Sequence, residues 1–148
     1  MDKVKGTVNL KWTGGRMMLG ADSRGVTLPI GSNDAYEPGW KGLKPSDLLL
    51  LAAASCSAYD VVSVLEKQRV DLQGLEVACS GEQLSEPPYT FVSIHLHYQV
   101  RGAVPADKLE RAIQLSEDKY CSVLATLRPG TDLSSSYEIL SDNGGDGS

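Results

Sequence analysis

Seven consecutive apolar residues, Leu48-Leu49-Leu50-Leu51-Ala52-Ala53-Ala54, follow Pro45-Ser46-Asp47 and constrain this chain more than any other stretch. Pro45 stands where a helix can start at no cost, because the first N–H groups have no partner inside the helix. Ser46 and Asp47 put polar and negative groups in the first turn, where the helix dipole favours them. A helical segment that is apolar all round must be buried on every side. Beyond Asp60 the pattern becomes amphipathic and stops near Gln68-Arg69, with the cations at the favourable end. The expectation is one central helix with the remaining chain wrapped around it.

The flanking sequence supplies material for that wrapping. Val4, Gly6, Val8, Leu10 and Trp12 alternate with Lys3, Lys5, Thr7, Asn9 and Lys11, which predicts a half-buried strand over 4–12. Thr13-Gly14-Gly15-Arg16 reads as a turn, and Met17–Ala21 and Val26–Ile30 as two further strands of a meander. The loop from Gly31 to Gly42 carries Tyr36, Glu37 and Trp40, residues expected to line a pocket mouth or to pack, with packing favoured for Trp40. Leu75–Leu84 and Thr90–Arg101 read as an antiparallel pair turned at Glu86-Pro87-Pro88, and Ser136–Leu140 as a last short strand. Between them Leu109, Ala112, Ile113, Leu115, Tyr120, Val123, Leu124 and Leu127 recur at helical spacing, predicting a second long helix that Arg128-Pro129-Gly130 ends or bends. This is an α+β pattern with helices on one face of antiparallel sheet. At 148 residues it fits a single domain over 1–140, with 141–148 a disordered or extraneous end.

Charge and composition narrow the function classes. A net charge of −5 offers no basic footprint for nucleic acid. The apolar run is far too short to span a bilayer, and Met1–Lys5 is polar, so neither a membrane partner nor export is expected. Three cysteines do not make a disulfide framework, and the expected compartment is a reducing cytoplasm. His95 and His97 share one face of a strand but have no third ligand at matching spacing, so a solvent-facing pair is expected rather than a metal site.

Cys79 lies in a strand and reads as a small core hydrophobe. Cys56 and Cys121 fall on the two predicted helices, which offers a way to set two sulfurs across one helix–helix contact. Cys56 lies about three turns past Pro45, beyond the reach of the helix dipole. Asp60, four residues on, shares its face and opposes a thiolate. A reactive Cys56 therefore needs a cation from elsewhere, and the turn residues Arg16 and Arg24 are the candidates.

The segment Leu43-Lys44-Pro45-Ser46-Asp47 through Ser55-Cys56-Ser57-Ala58-Tyr59-Asp60-Val61-Val62 resembles the first-cysteine signature of the OsmC/Ohr family. Glu110-Arg111-Ala112-Ile113 with Leu115-Ser116-Glu117-Asp118-Lys119-Tyr120-Cys121-Ser122-Val123 resembles the second-cysteine helix, and the likeness is greatest to the YhfA-type branch. The resemblance implies an OsmC-like α+β fold whose two chains intertwine as a homodimer, with sites at the subunit interface. It implies reduction of organic hydroperoxides, with Cys56 peroxidatic and Cys121 resolving, no cofactor, and an external dithiol reductant. In the family an Arg and a Glu hold the thiolate, which carries over onto Arg16 and, since Ser46 stands where the Glu would, onto Asp47. The alternative implied by Ser46 and Asp60 is an OsmC-like stress-response or small-ligand-binding protein with little peroxidase activity.

Overall fold

The structure, a computed structural model, describes residues 1–31 and 41–140. The expectations for Tyr36, Glu37 and Trp40 and for the 141–148 end lie outside the described residues. Contacts within the chain divide it into two compact units, Met1–Leu49 and Leu50–Ser148.

The first unit is an antiparallel meander of β1 (Asn9–Gly14), β2 (Met17–Ala21) and β3 (Thr27–Gly31), with β2 in the middle. Gly14 and Gly15 have positive φ at the first turn, as a glycine pair allows. β1 starts at Asn9 rather than Val4, because Asn9 already pairs with Ala21, the last residue of β2, and nothing earlier pairs with a strand among the described residues. Its apolar residues are open as well: Leu10 and Trp12 are 62% and 68% exposed, so the half-buried strand expected there is corrected to an exposed edge.

The helix α1 spans Pro45–Lys67, 23 residues, within one residue of its expected end. It is long and apolar enough to cross a bilayer by length and composition, yet Ala53, Ala54, Ser57, Val61 and Leu65 are buried in the protein's own core. Burial is not all-round, as the apolar run had suggested. Leu51, Tyr59 and Val62 are 50%, 82% and 40% exposed and recur at helical spacing, which makes an open apolar stripe.

The second unit holds a three-stranded sheet in the order β4 (Asp71–Gln83), β5 (Phe91–Ala103), β6 (Asp132–Leu140). β4 and β5 are antiparallel, but β6 runs parallel to β5, so the sheet is mixed rather than antiparallel. The reason lies in the connection: parallel neighbours need a long crossover, and the helical segment between β5 and β6 provides it. β6 also begins at Asp132, four residues before the expected start, because Ser134 and Ser136 are held across the sheet by His95 and His97 of β5. Ile94, Leu96, Tyr98 and Val100 alternate inward from β5, as their spacing predicts, and meet Val61 and Leu65 of α1 and Leu109 and Ala112 in one core.

The second long helix is not one helix. It divides into α2 (Ala106–Leu115), a π-helical turn over Ser116–Tyr120, α3 (Ser122–Leu127) and a 3₁₀ turn at Arg128–Gly130. Cys121, expected mid-helix, is the extended residue between the π turn and α3, with φ −79° and ψ 108°.

Candidate functional site

On α1, residues i and i+4 share a face. Cys56 and Asp60 therefore stand one turn apart on one side, while Ser57, fully buried, turns toward β5. The π turn supplies the other half of the site. In an α-helix each residue advances about 100°, so Ser116 and Cys121 would point in different directions. The wider turn closes a bond from the Cys121 N–H to the Ser116 carbonyl at 2.9 Å and faces both residues inward, Ser116 wholly buried and Cys121 2% exposed. π turns of this kind recur at functional sites.

The result is a compact cluster. Cys56 Sγ, Cys121 Sγ and a carboxylate oxygen of Asp60 all lie within 4.8 Å of one another. Behind them runs a chain of hydroxyls: Tyr98 Oη to Ser57 Oγ at 2.5 Å, Ser57 Oγ to Ser116 Oγ at 2.9 Å, and Ser116 Oγ donating to Asp60 Oδ2 at 2.9 Å. Each hydroxyl has a single hydrogen. Ser116 has one hydrogen and two acceptors at 2.9 Å, Ser57 Oγ and Asp60 Oδ2, so it is the node that joins the buried hydroxyls to the carboxylate. Such a chain holds the carboxylate in place and strengthens along its length.

Burial pushes the Cys121 thiol up to about 11, and its hydrogen bond with Cys56 pushes the same way. Cys121 is thus a neutral thiol at neutral pH. Its sulfur accepts a bond from the Leu124 N–H at 3.4 Å, capping α3. Burial also pushes Tyr98 up to about 12, partly offset by its bond with Ser57. Cys79, half-buried on β4, has its thiol raised by burial and stands outside the Cys56–Asp60–Cys121 group.

Of the four residues singled out from the sequence, Cys56 and Cys121 come together. Arg16 occupies the turn between β1 and β2, and Asp47 the first turn of α1, nine residues before Cys56. Arg24 lies 4.0 Å from Asp22 in its own turn. His95 and His97 are tied into β6, with His97 also 3.3 Å from Glu138. Three buried partners of the site, Ser57, Ser116 and Tyr98, escaped the sequence reading. Their signal was a hydroxyl on the apolar face of each helix and on the inward face of β5.

Beside Asp60 a cavity of about 450 Å³ opens, lined by Asp60, Ser63, Val64, Lys67, Gln68, Leu115 and Tyr120. Its wall mixes polar and apolar side chains. The cluster and the cavity share Asp60, in the second unit.

Residues 37–136 match the family of OsmC-like proteins. The chain belongs to that family. Over 132 residues this OsmC-like protein is 37% identical to the protein YhfA of Escherichia coli K12, a match covering 88% of this chain and 96% of that one. The crystal structure of a hypothetical protein from Aquifex aeolicus VF5 superposes with a TM-score of 0.84 at 31% identity, covering 95% of this chain and 99% of the other. The organic hydroperoxide resistance protein OhrB of Bacillus subtilis superposes with a TM-score of 0.61 at 17% identity over 91% and 98% of the two chains, a likeness that shows the fold alone.

Proposed function

We propose that this OsmC-like protein is a thiol-dependent peroxidase acting on organic hydroperoxides. The observation that carries the reading is the meeting of two reduced sulfurs, Cys56 and Cys121, within 4.8 Å. Cys56 thiolate attacks the O–O bond and takes the terminal oxygen as Cys56–SOH, and the alkoxide leaves as the alcohol with a proton from solvent. Cys121 sulfur then displaces the hydroxyl of the sulfenate. A Cys56–Cys121 bond forms, and hydroxide leaves as water with the Cys121 proton. An external dithiol restores both thiols by exchange. A disulfide needs its sulfurs at about 2.05 Å, so the pair must close further.

Arg16 and Asp47 enter this reading through the family resemblance, as cation and carboxylate serving the Cys56 thiolate. The open stripe of Leu51, Tyr59 and Val62 on α1 supports a second copy covering that face as a homodimer. A monomeric mass by light scattering would remove that part. Consumption of cumene hydroperoxide with dithiothreitol is expected in the wild type and lost in Cys56→Ser. Turnover that survives Cys56→Ser sinks the enzyme reading.

One observation favours a second reading, a small-ligand-binding or stress-response protein with little turnover. The Asp60 carboxylate sits close to both sulfurs and opposes a negative charge on either. Thiol acidity separates the two. An iodoacetamide rate profile placing Cys56 below about 7 supports the peroxidase, and one at or above the ordinary thiol value of about 8.5 supports the binding protein.

A further inference from the structure

Two thiols and a carboxylate in mutual reach are also a ligand set. We propose that reduced Cys56 and Cys121, with Asp60, bind one zinc ion per chain through two sulfurs and one oxygen, the fourth position being filled by water or a small ligand from the adjoining cavity. The site needs only the two free thiols, so it stands independently of the peroxidase reading.

The geometry favours it on four counts. First, Zn–S bonds of about 2.3 Å and Zn–O bonds of about 2.0 Å in a tetrahedron set neighbouring ligand atoms roughly 3.5–3.8 Å apart. The three atoms already lie within 4.8 Å of one another, so about 1 Å of contraction completes the arrangement. Second, Cys56 and Asp60 are one turn apart on the same helix, which fixes two positions, and Cys121, in the extended break before α3, supplies the third from the opposite side.

Third, the groups around the ligands are already in place. Ser116 donates to Asp60 Oδ2, and the Leu124 N–H donates to Cys121 Sγ. Outer hydrogen bonds of this sort orient metal ligands and stabilise their charge. Fourth, one ligand borders open space, because Asp60 forms part of the wall of the 450 Å³ cavity. Closed structural zinc sites use four protein ligands, whereas three with an open fourth leave room for an exogenous one. Thiolate donors select a soft or borderline ion over calcium or magnesium, which take oxygen ligands in higher number.

Metal and disulfide compete for the same electron pairs on the two sulfurs. A zinc-bound pair is held as thiolates and kept from alkylation and from joining. The site thereby ties the accessibility of Cys56 and Cys121 to free zinc.

The test uses the full chain, reduced and freed of metal, titrated with Co²⁺ as a spectroscopic stand-in and then with Zn²⁺, without peroxide. One Co²⁺ per chain should bind with an intense near-ultraviolet thiolate-to-metal band and visible bands of tetrahedral strength, and one equivalent of Zn²⁺ should abolish both. Cys56→Ser and Cys121→Ser should each cut the near-ultraviolet band to about half and weaken binding by at least tenfold, while Cys79→Ser leaves band and affinity unchanged. Asp60→Asn should keep the two-thiolate band and lose roughly tenfold in affinity, in line with perturbations near metal ligands. X-ray absorption on the wild-type zinc form should give two sulfur and two lighter ligands, a readout that holds even if a serine variant misfolds. No thiolate band, a band lost with Cys79, or fewer than two sulfurs around zinc overturns the site.

Discussion

The two cysteines of this protein come from segments with opposite characters. Cys56 rides on 23 residues of uninterrupted α-helix, where neighbours at i+1 and i+4 have directions set by the helix itself. Cys121 follows a five-residue π turn, stands in extended backbone, and begins a new helix of six residues. The regular half presents a thiol and a carboxylate on one face. The irregular half brings a thiol and a serine to them, at the cost of a broken helix. The two sulfurs meet only because the irregular half departs from the α-helix at that point.

Removing the irregularity should have the largest effect. Lys119 is exposed, and its deletion would let the wide turn relax toward an α-helical one, rotating Cys121 by about 100° from its present direction. Oxidation with diamide should link the two thiols in the wild type and give almost no Cys56–Cys121 crosslink in the deletion. Peptide mapping reads this directly. A crosslink at wild-type yield would mean that the π turn does not place Cys121.

Next in size is the hydroxyl chain joining the two halves. Ser116→Ala removes the hydroxyl bonded to both Ser57 Oγ and Asp60 Oδ2, a loss of about 1–3 kcal/mol for buried polar groups left unpaired. Urea unfolding should show a lower midpoint with an unchanged slope. A loss under about 0.5 kcal/mol would show that solvent replaces the serine freely.

Tyr98 sharpens the same comparison through pH. Burial raises its phenol from 10.0 to about 12 in the folded chain. The folded state thus holds this proton more tightly than the unfolded one, so its contribution is complete below about pH 10 and is lost as pH climbs toward about 12. Stability of the wild type should fall across that window more steeply than that of Tyr98→Phe. Parallel curves for the two would refute it.

The smallest effect belongs to Arg128, whose guanidinium donates to the Glu117 carbonyl of the π turn at 2.5 Å while exposed to solvent. Arg128→Ala should cost about 0.5–1 kcal/mol, and hydrogen exchange should speed up at 116–121 but not along α1. Uniform acceleration in both segments would mean that the arginine supports the whole fold rather than the turn.

Local chemistry made much of the regular half legible. Pro45, the apolar run and Lys67 delimit α1 because capping, dipole and burial all act within a few residues of one another. The alternation of Ile94, Leu96, Tyr98 and Val100 announces the inward face of β5 for the same reason. The two cysteines were visible as types, and the family likeness paired them. Missed were the stripe at Leu51, Tyr59 and Val62, since an apolar helix does not declare which of its sides the chain leaves open, and the late start of β1, which depends on where β2 ends.

What the sequence alone determined here is the periodicity: one long apolar helix, a pleated pair, and cysteines at known places along them. Only the tertiary structure decided that β6 enters parallel to β5, because strand direction depends on the path of the crossover and not on the strand's own residues. It also decided that the helical pattern from Leu109 to Leu127 breaks at Cys121. Burying Ser116, Leu124 and Cys121 together needs one residue more than an α-helical turn holds, and the packing against Ser57 and Asp60 stabilises that extra residue.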